Sequence, residues 1–138
     1  MEYDSWILGE PASAKNQRQI VVIRGKPRII KSKKALAYTK SFAAQATPLD
    51  PLITTDVSLR IDAFYASRRP DLACLDLIMD CLQGVAYAND RQVKATQCFW
   101  NLDKENPRVR IRVRSIPADC STGTYSVKPS TIWGLEEK

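Results

Sequence analysis

Residues 68–93, RRPDLACLDLIMDCLQGVAYANDRQV, place Asp71, Asp76, Asp80 and Asp90 among apolar residues, directly behind Arg68 and Arg69. Carboxylates are hard oxygen ligands, and a few of them suit Mg²⁺, with Mn²⁺ able to substitute. Spacing decides which of the four can act together. Asp76 and Asp80 are four apart and share a face if the segment is helical. On one continuous helix, Asp71 and Asp80 would fall on opposite sides, separated by roughly 13 Å along the axis. They cannot then share an ion within one subunit. A compact site needs Asp71 at the helix entrance and a carboxylate from elsewhere. Asp90, in the AND turn before a strand, is the expected second ligand, with Asp76 and Asp80 as auxiliary candidates. The competing structural readings are an N-cap carboxylate at Asp71 and a solvated polar face for Asp76 and Asp80.

The totals narrow the chemistry. A chain of 138 residues suggests one domain. It contains no histidine, which excludes Ser-His-Asp and Cys-His nucleophiles and the commonest zinc ligand. The formal charge of +6 is compatible with a polyanionic partner or with a merely soluble basic surface. Cys74, Cys81, Cys98 and Cys120 form no C-x-x-C pair, and Cys74 and Cys81 read as small core residues. The first residues do not resemble a signal peptide, and no apolar run reaches membrane-spanning length, so a cytoplasmic setting is expected.

The elements that would position these residues follow from periodicity. SWILG reads as a short strand, followed by a polar loop carrying Lys15, Asn16 and Arg18. IVVIR and RIIK read as a hairpin around GKP, with Gly25 and Pro27 supplying the turn and Lys26 and Arg28 beside it. SKKALAYTKSFAAQA reads as a helix capped by Ser32, beginning near Lys33, with Leu36, Phe42 or Ala43, and Ala46 facing inward. TTDVSLRIDAFYAS alternates as a half-buried strand with Val57, Leu59, Ile61, Ala63 and Tyr65 on one face. A second helix is expected from Asp71 to Gln83, with Leu72, Leu75, Met79 and Leu82 as its apolar stripe and Gly84 as its stop. Two strands close the domain; in the last, Val109, Ile111 and Val113 face in while Arg108, Arg110, Arg112 and Arg114 face out. The order predicts an α+β single domain, a mostly antiparallel mixed sheet with two main helices, over residues 1–116. Residues 117–138 read as an irregular tail.

GEPASAKNQR, RGKPRIIKSKKALAYTKSF and RRPDLACLDLIMDCLQGVAYANDRQV together resemble the RusA-like Holliday-junction resolvases, over roughly residues 6 to 116. The resemblance implies an α+β homodimer, of a kind common in phages, that binds four-way DNA junctions and makes paired nicks with Mg²⁺. It implies metal ligands at Asp71, position 73 and Asp90. It also implies DNA contacts by the basic N-terminal loop and the arginines before the acids: Lys15, Asn16, Arg18, Arg68 and Arg69. Lys26, Arg28 and Lys33 extend that basic surface. Position 73 departs from the pattern, because it is Ala73 and a methyl group cannot ligate a metal. Three readings stay open: recruitment of Asp76 or Asp80, a catalytically inactive junction-binding protein of the same fold, or an engineered loss of the ligand.

Overall fold

The structure is a computed structural model, and it describes residues 2–12 and 18–117. The chain runs β1 (Glu2–Leu8), β2 (Arg18–Ile23), β3 (Lys26–Lys31), α1 (Lys33–Gln45), β4 (Val57–Tyr65), α2 (Leu75–Leu82), a 3₁₀ turn (Asp90–Gln92), β5 (Val93–Leu102) and β6 (Arg108–Ser115). Four strands make one sheet in the order β1-β6-β4-β5, while β2 and β3 form a separate hairpin. The expected α+β architecture is present. β6 is antiparallel to both β1 and β4, and β5 is parallel to β4. A parallel pair cannot be closed by a tight turn, so the chain must travel back from the end of β4 to the start of β5. The segment holding the aspartates is that return path.

The alternation seen in β4 and β6 is realised. Val57, Leu59, Ile61, Ala63 and Tyr65 are buried with Val109, Ile111 and Val113 on one face of the sheet. Both helices contribute to that same core through Ala35, Tyr38, Phe42, Leu77, Ile78 and Leu82. Burying such side chains stabilises by about 1.5–3 kcal/mol each, which fixes which face of each helix turns inward. On α1 that face is Ala35, Tyr38 and Phe42, a spacing of three and four; Leu36 and Ala43 are exposed instead. Ser32 caps the helix as expected, accepting from Ala35 N–H at 3.2 Å.

Two local expectations are corrected. α2 begins at Leu75 rather than Asp71. The preceding residues are held as a turn, in which Ala73 N–H donates to Asp71 C=O (2.9 Å), while Cys74 enters the core at the cap position. The buried face of α2 is therefore Leu77, Ile78 and Leu82; Leu75 and Met79 flank it, and Leu72 is exposed in the turn. In the hairpin the turn residues are Arg24 (φ 52°) and Gly25 (φ 77°), and Pro27 lies within β3 opposite Val22. Two successive positive φ values match the right-handed twist of paired strands, which is why a two-residue loop suffices.

Candidate functional site

Asp71 lies beyond the C-terminal end of β4. Trp100, near the end of the neighbouring strand β5, donates its indole N–H to Pro70 C=O (3.0 Å) and anchors the loop there. The Trp100 ring stacks on Tyr65 at 5.7 Å. Beside this anchor is a cleft of about 710 Å³ whose walls include Gly9, Glu10, Lys34, Tyr38, Arg69 and Asp71. Three distant stretches of sequence meet here: the end of β1, the first turn of α1 and the loop after β4. Two carboxylates and two cations line it together, a combination that can hold a phosphate while an acid addresses the bond beside it. Glu10 and Lys34 were not singled out from the sequence. Their only signal there was membership of the GEP and SKK stretches, and their meeting with Asp71 is a tertiary fact.

Asp90 belongs to the other end of the sheet. It opens the 3₁₀ turn leading into β5, where Asn89 accepts from Arg91 N–H (2.9 Å) and Gln92 reaches back to Ala88 and Asn89 N–H (3.1 Å each). The Gln92 amide donates to Ile53 and Thr55 C=O (2.8 Å each), tying this turn to the segment just before β4. Because β4 and β5 are parallel, with Val57 opposite Val93 and Tyr65 opposite Leu102, the entrance of β5 and the exit of β4 are at opposite ends. At about 3.3 Å per residue, Asp71 and Asp90 are on the order of 20 Å apart along the strands. The expectation that the β5 entrance returns beside the helix N-terminus does not hold within one chain.

Asp76 and Asp80 are both exposed on α2. Asp80 is on the Asp90 side: burial, and then the charges of Asp90 and Asp80, raise the pKa of the Tyr87 phenol, which donates to Met79 C=O (2.9 Å). Among the described residues, no three of His, Cys, Asp and Glu gather as a metal-ligand group. Asp71 and Asp90, the two expected ligands, are thus too far apart to share one Mg²⁺ within a single chain.

A family model described as Endodeoxyribonuclease RusA matches residues 9–114. The chain belongs to that family. The matched span runs from Gly9 to Arg114 within β6 and includes Glu10, Asp71, Ala73 and Asp90. Comparison with curated proteins gives no match. The match over residues 9–114 bears out the resemblance seen in the sequence, and RusA-family proteins are endodeoxyribonucleases that resolve Holliday junctions.

On this RusA-family chain the expected DNA-binding residues scatter over several elements. Arg68 and Arg69 are exposed in the loop before Asp71, Lys33 opens α1, and Lys26 and Arg28 are on the hairpin. Arg18 is the first residue of β2, and Lys15 and Asn16 lie outside the described residues. The β6 arginines have another occupation. Arg108 pairs with Asp103 (2.7 Å), Arg110 with Asp4 (2.9 Å), Arg112 with Asp62 (3.0 Å) and Arg114 with Glu2 (3.0 Å). Arg108 also stacks over Phe64 (4.2 Å) and Trp6 (5.0 Å). Charges answered within the subunit are poorly placed to neutralise phosphates. Among the described residues, no helix is long and apolar enough to cross a membrane.

Proposed function

We propose that this protein resolves four-way DNA junctions by paired nicks, as a Mg²⁺-dependent homodimer in the cytoplasm of a bacterial host. The observation that carries the reading is the cleft joining Asp71 to Arg69 and Lys34 within the span of the family match. Arg69 and Lys34 would hold a backbone phosphate against Asp71. The opposed positions of Asp71 and Asp90 support the dimer. A two-fold axis that turns the strands end for end brings Asp71 of one subunit to Asp90 of the partner subunit, twice per dimer. Two such sites face opposite strands of a pseudo-symmetric junction, which is the geometry of paired nicks.

Ala73 favours a second reading, a junction-binding protein of the same fold that does not cut, because the position beside Asp71 offers a methyl group. A synthetic four-way junction with Mg²⁺ or Mn²⁺ separates the two. The enzyme reading expects cleavage by the protein, raised about tenfold or more in Ala73→Asp. Tight binding with no cleavage by either protein establishes the binder. The shared site has its own test in subunit mixing. Asp71→Asn and Asp90→Asn should each be inactive alone, yet regain nicking when mixed, with about a quarter of the native sites restored. No recovery on mixing would remove the shared-site arrangement.

A further inference from the structure

The β2–β3 hairpin is a two-stranded sheet of its own. Its register opposes Ile20 to Ile29 and Val22 to Pro27, so three aliphatic side chains share one face. They are 73%, 72% and 70% exposed for Ile20, Val22 and Ile29, and among the described residues nothing covers them. On the other face Ile23 and Ile30 are also open, at 47% and 39%. A lone hairpin is marginal in water, and a contiguous exposed apolar surface marks a contact to be made.

Charge says what with. Residues 18–31 carry Arg18, Arg24, Lys26, Arg28 and Lys31 and no acidic residue. A second hairpin of the same kind would meet it with five like charges, whereas a polyanion meets it with opposite ones. The tip is a tight two-residue turn with Arg24 and Gly25 at positive φ, which keeps the projecting end narrow.

We infer that this hairpin is the element that distinguishes branched DNA from continuous duplex. The inference rests on the proposed action on DNA junctions. Its aliphatic face enters the opening between arms and packs on base pairs whose stacking is interrupted at the branch. Its cations hold the flanking phosphates. In continuous duplex the same wedge must first unstack a base step, whereas a branch point offers the break already made. The cations bind both forms alike, because phosphate contacts carry affinity without shape. Preference and affinity are therefore separable on one hairpin.

Two variants of the full chain test this. Ile20→Thr, Val22→Thr and Ile29→Thr combined keep β-branched side chains, hence strand propensity, while removing apolar surface. Arg24→Ala, Lys26→Ala and Arg28→Ala combined remove charge. Affinity is measured for a synthetic four-way junction and a matched duplex across a salt series, with 2-aminopurine at the branch point reporting unstacking. The threonine variant should lose junction preference by about tenfold or more and lose the fluorescence rise, keeping its duplex affinity and salt slope. The alanine variant should weaken both substrates together and lower the salt slope by about three. The inference is overturned by an unchanged preference in the threonine variant. It is equally overturned if the loss follows a shift from dimer to monomer in sedimentation, or if the hairpin acts only on anionic vesicles. Equal affinity of the unaltered protein for junction and duplex would instead bring down the proposed function, and this inference with it. Should the triple threonine variant misfold, Ile29→Thr alone is read in the same way.

Discussion

At the scale of single residues, the aspartates answer to their surroundings more than to their spacing. Asp71 looks like a helix N-cap in the sequence but occupies a turn four residues ahead of the helix, and Asp76 takes the first turn instead. The cysteines show environment acting on reactivity. Burial, then the neighbouring Cys74 and Asp62, push the Cys98 thiol up to about 11. Burial likewise raises Cys74. Since the thiolate is the reactive form, Cys98 in the folded protein should alkylate about a hundredfold more slowly at pH 8 than an ordinary thiol. Mass-resolved labelling with iodoacetamide, native against urea-unfolded, checks this; equal rates at Cys98 would contradict it. Nothing about Cys98 in the sequence announces this, because the residues beside it, Ile61 and Asp62 of β4 and Cys74, are distant from it in the chain.

At the scale of elements, the loop between β4 and α2 is where local signals and the fold part company. Pro70-Asp71 has the pattern of a helix start, yet the indole of Trp100 fixes Pro70 and the core takes in Cys74, so the first helical turn is delayed. Trp100→Phe keeps the ring on Tyr65 but removes the donor to Pro70. It should destabilise by about 1 kcal/mol, the net worth of one hydrogen bond, in chemical denaturation. Cleavage should fall with it, since the loop carries Arg69 and Asp71. An unchanged midpoint and activity would mean that the loop is held by other contacts. The strands, in contrast, were readable: alternation in β4 and β6 reports a one-sided sheet directly, because successive residues must point to opposite faces.

At the scale of the whole molecule, the basic residues are of two kinds, paired within the subunit and exposed. The β6 arginines are tied to carboxylates of β1, β4 and the β5–β6 loop, whereas Arg68 and Arg69 before Asp71 and Arg24, Lys26 and Arg28 on the hairpin are exposed. The Asp4–Arg110 pair joins β1, near the start of the chain, to β6. Its hydrogen bond from Arg110 holds the Asp4 carboxyl below its ordinary 3.8 despite partial burial. A lowered folded pKa means stability that is present above pH 3.8 and lost as pH falls through the folded value. Asp4→Asn should therefore lower the thermal midpoint at neutral pH and flatten its decline below pH 4. An acid limb as steep as that of the unaltered protein would rule the pair out as a contributor.

What the sequence by itself determined is what depends on local pattern and residue type. The absence of histidine set aside whole classes of catalysis, and alternation and capping located most strands and α1. The motif around Asp71 and Asp90 pointed to the RusA family, and Ala73 stood out against it. Only the tertiary structure decided how far apart Asp71 and Asp90 are, that Glu10 and Lys34 share the cleft with Asp71, and that no other described residue covers the hairpin. Each of these depends on pairings between residues distant in sequence. A parallel partner for β4 puts the two acids at opposite ends of the sheet, whereas an antiparallel one would put them at the same end. Periodicity within either strand is identical in the two cases.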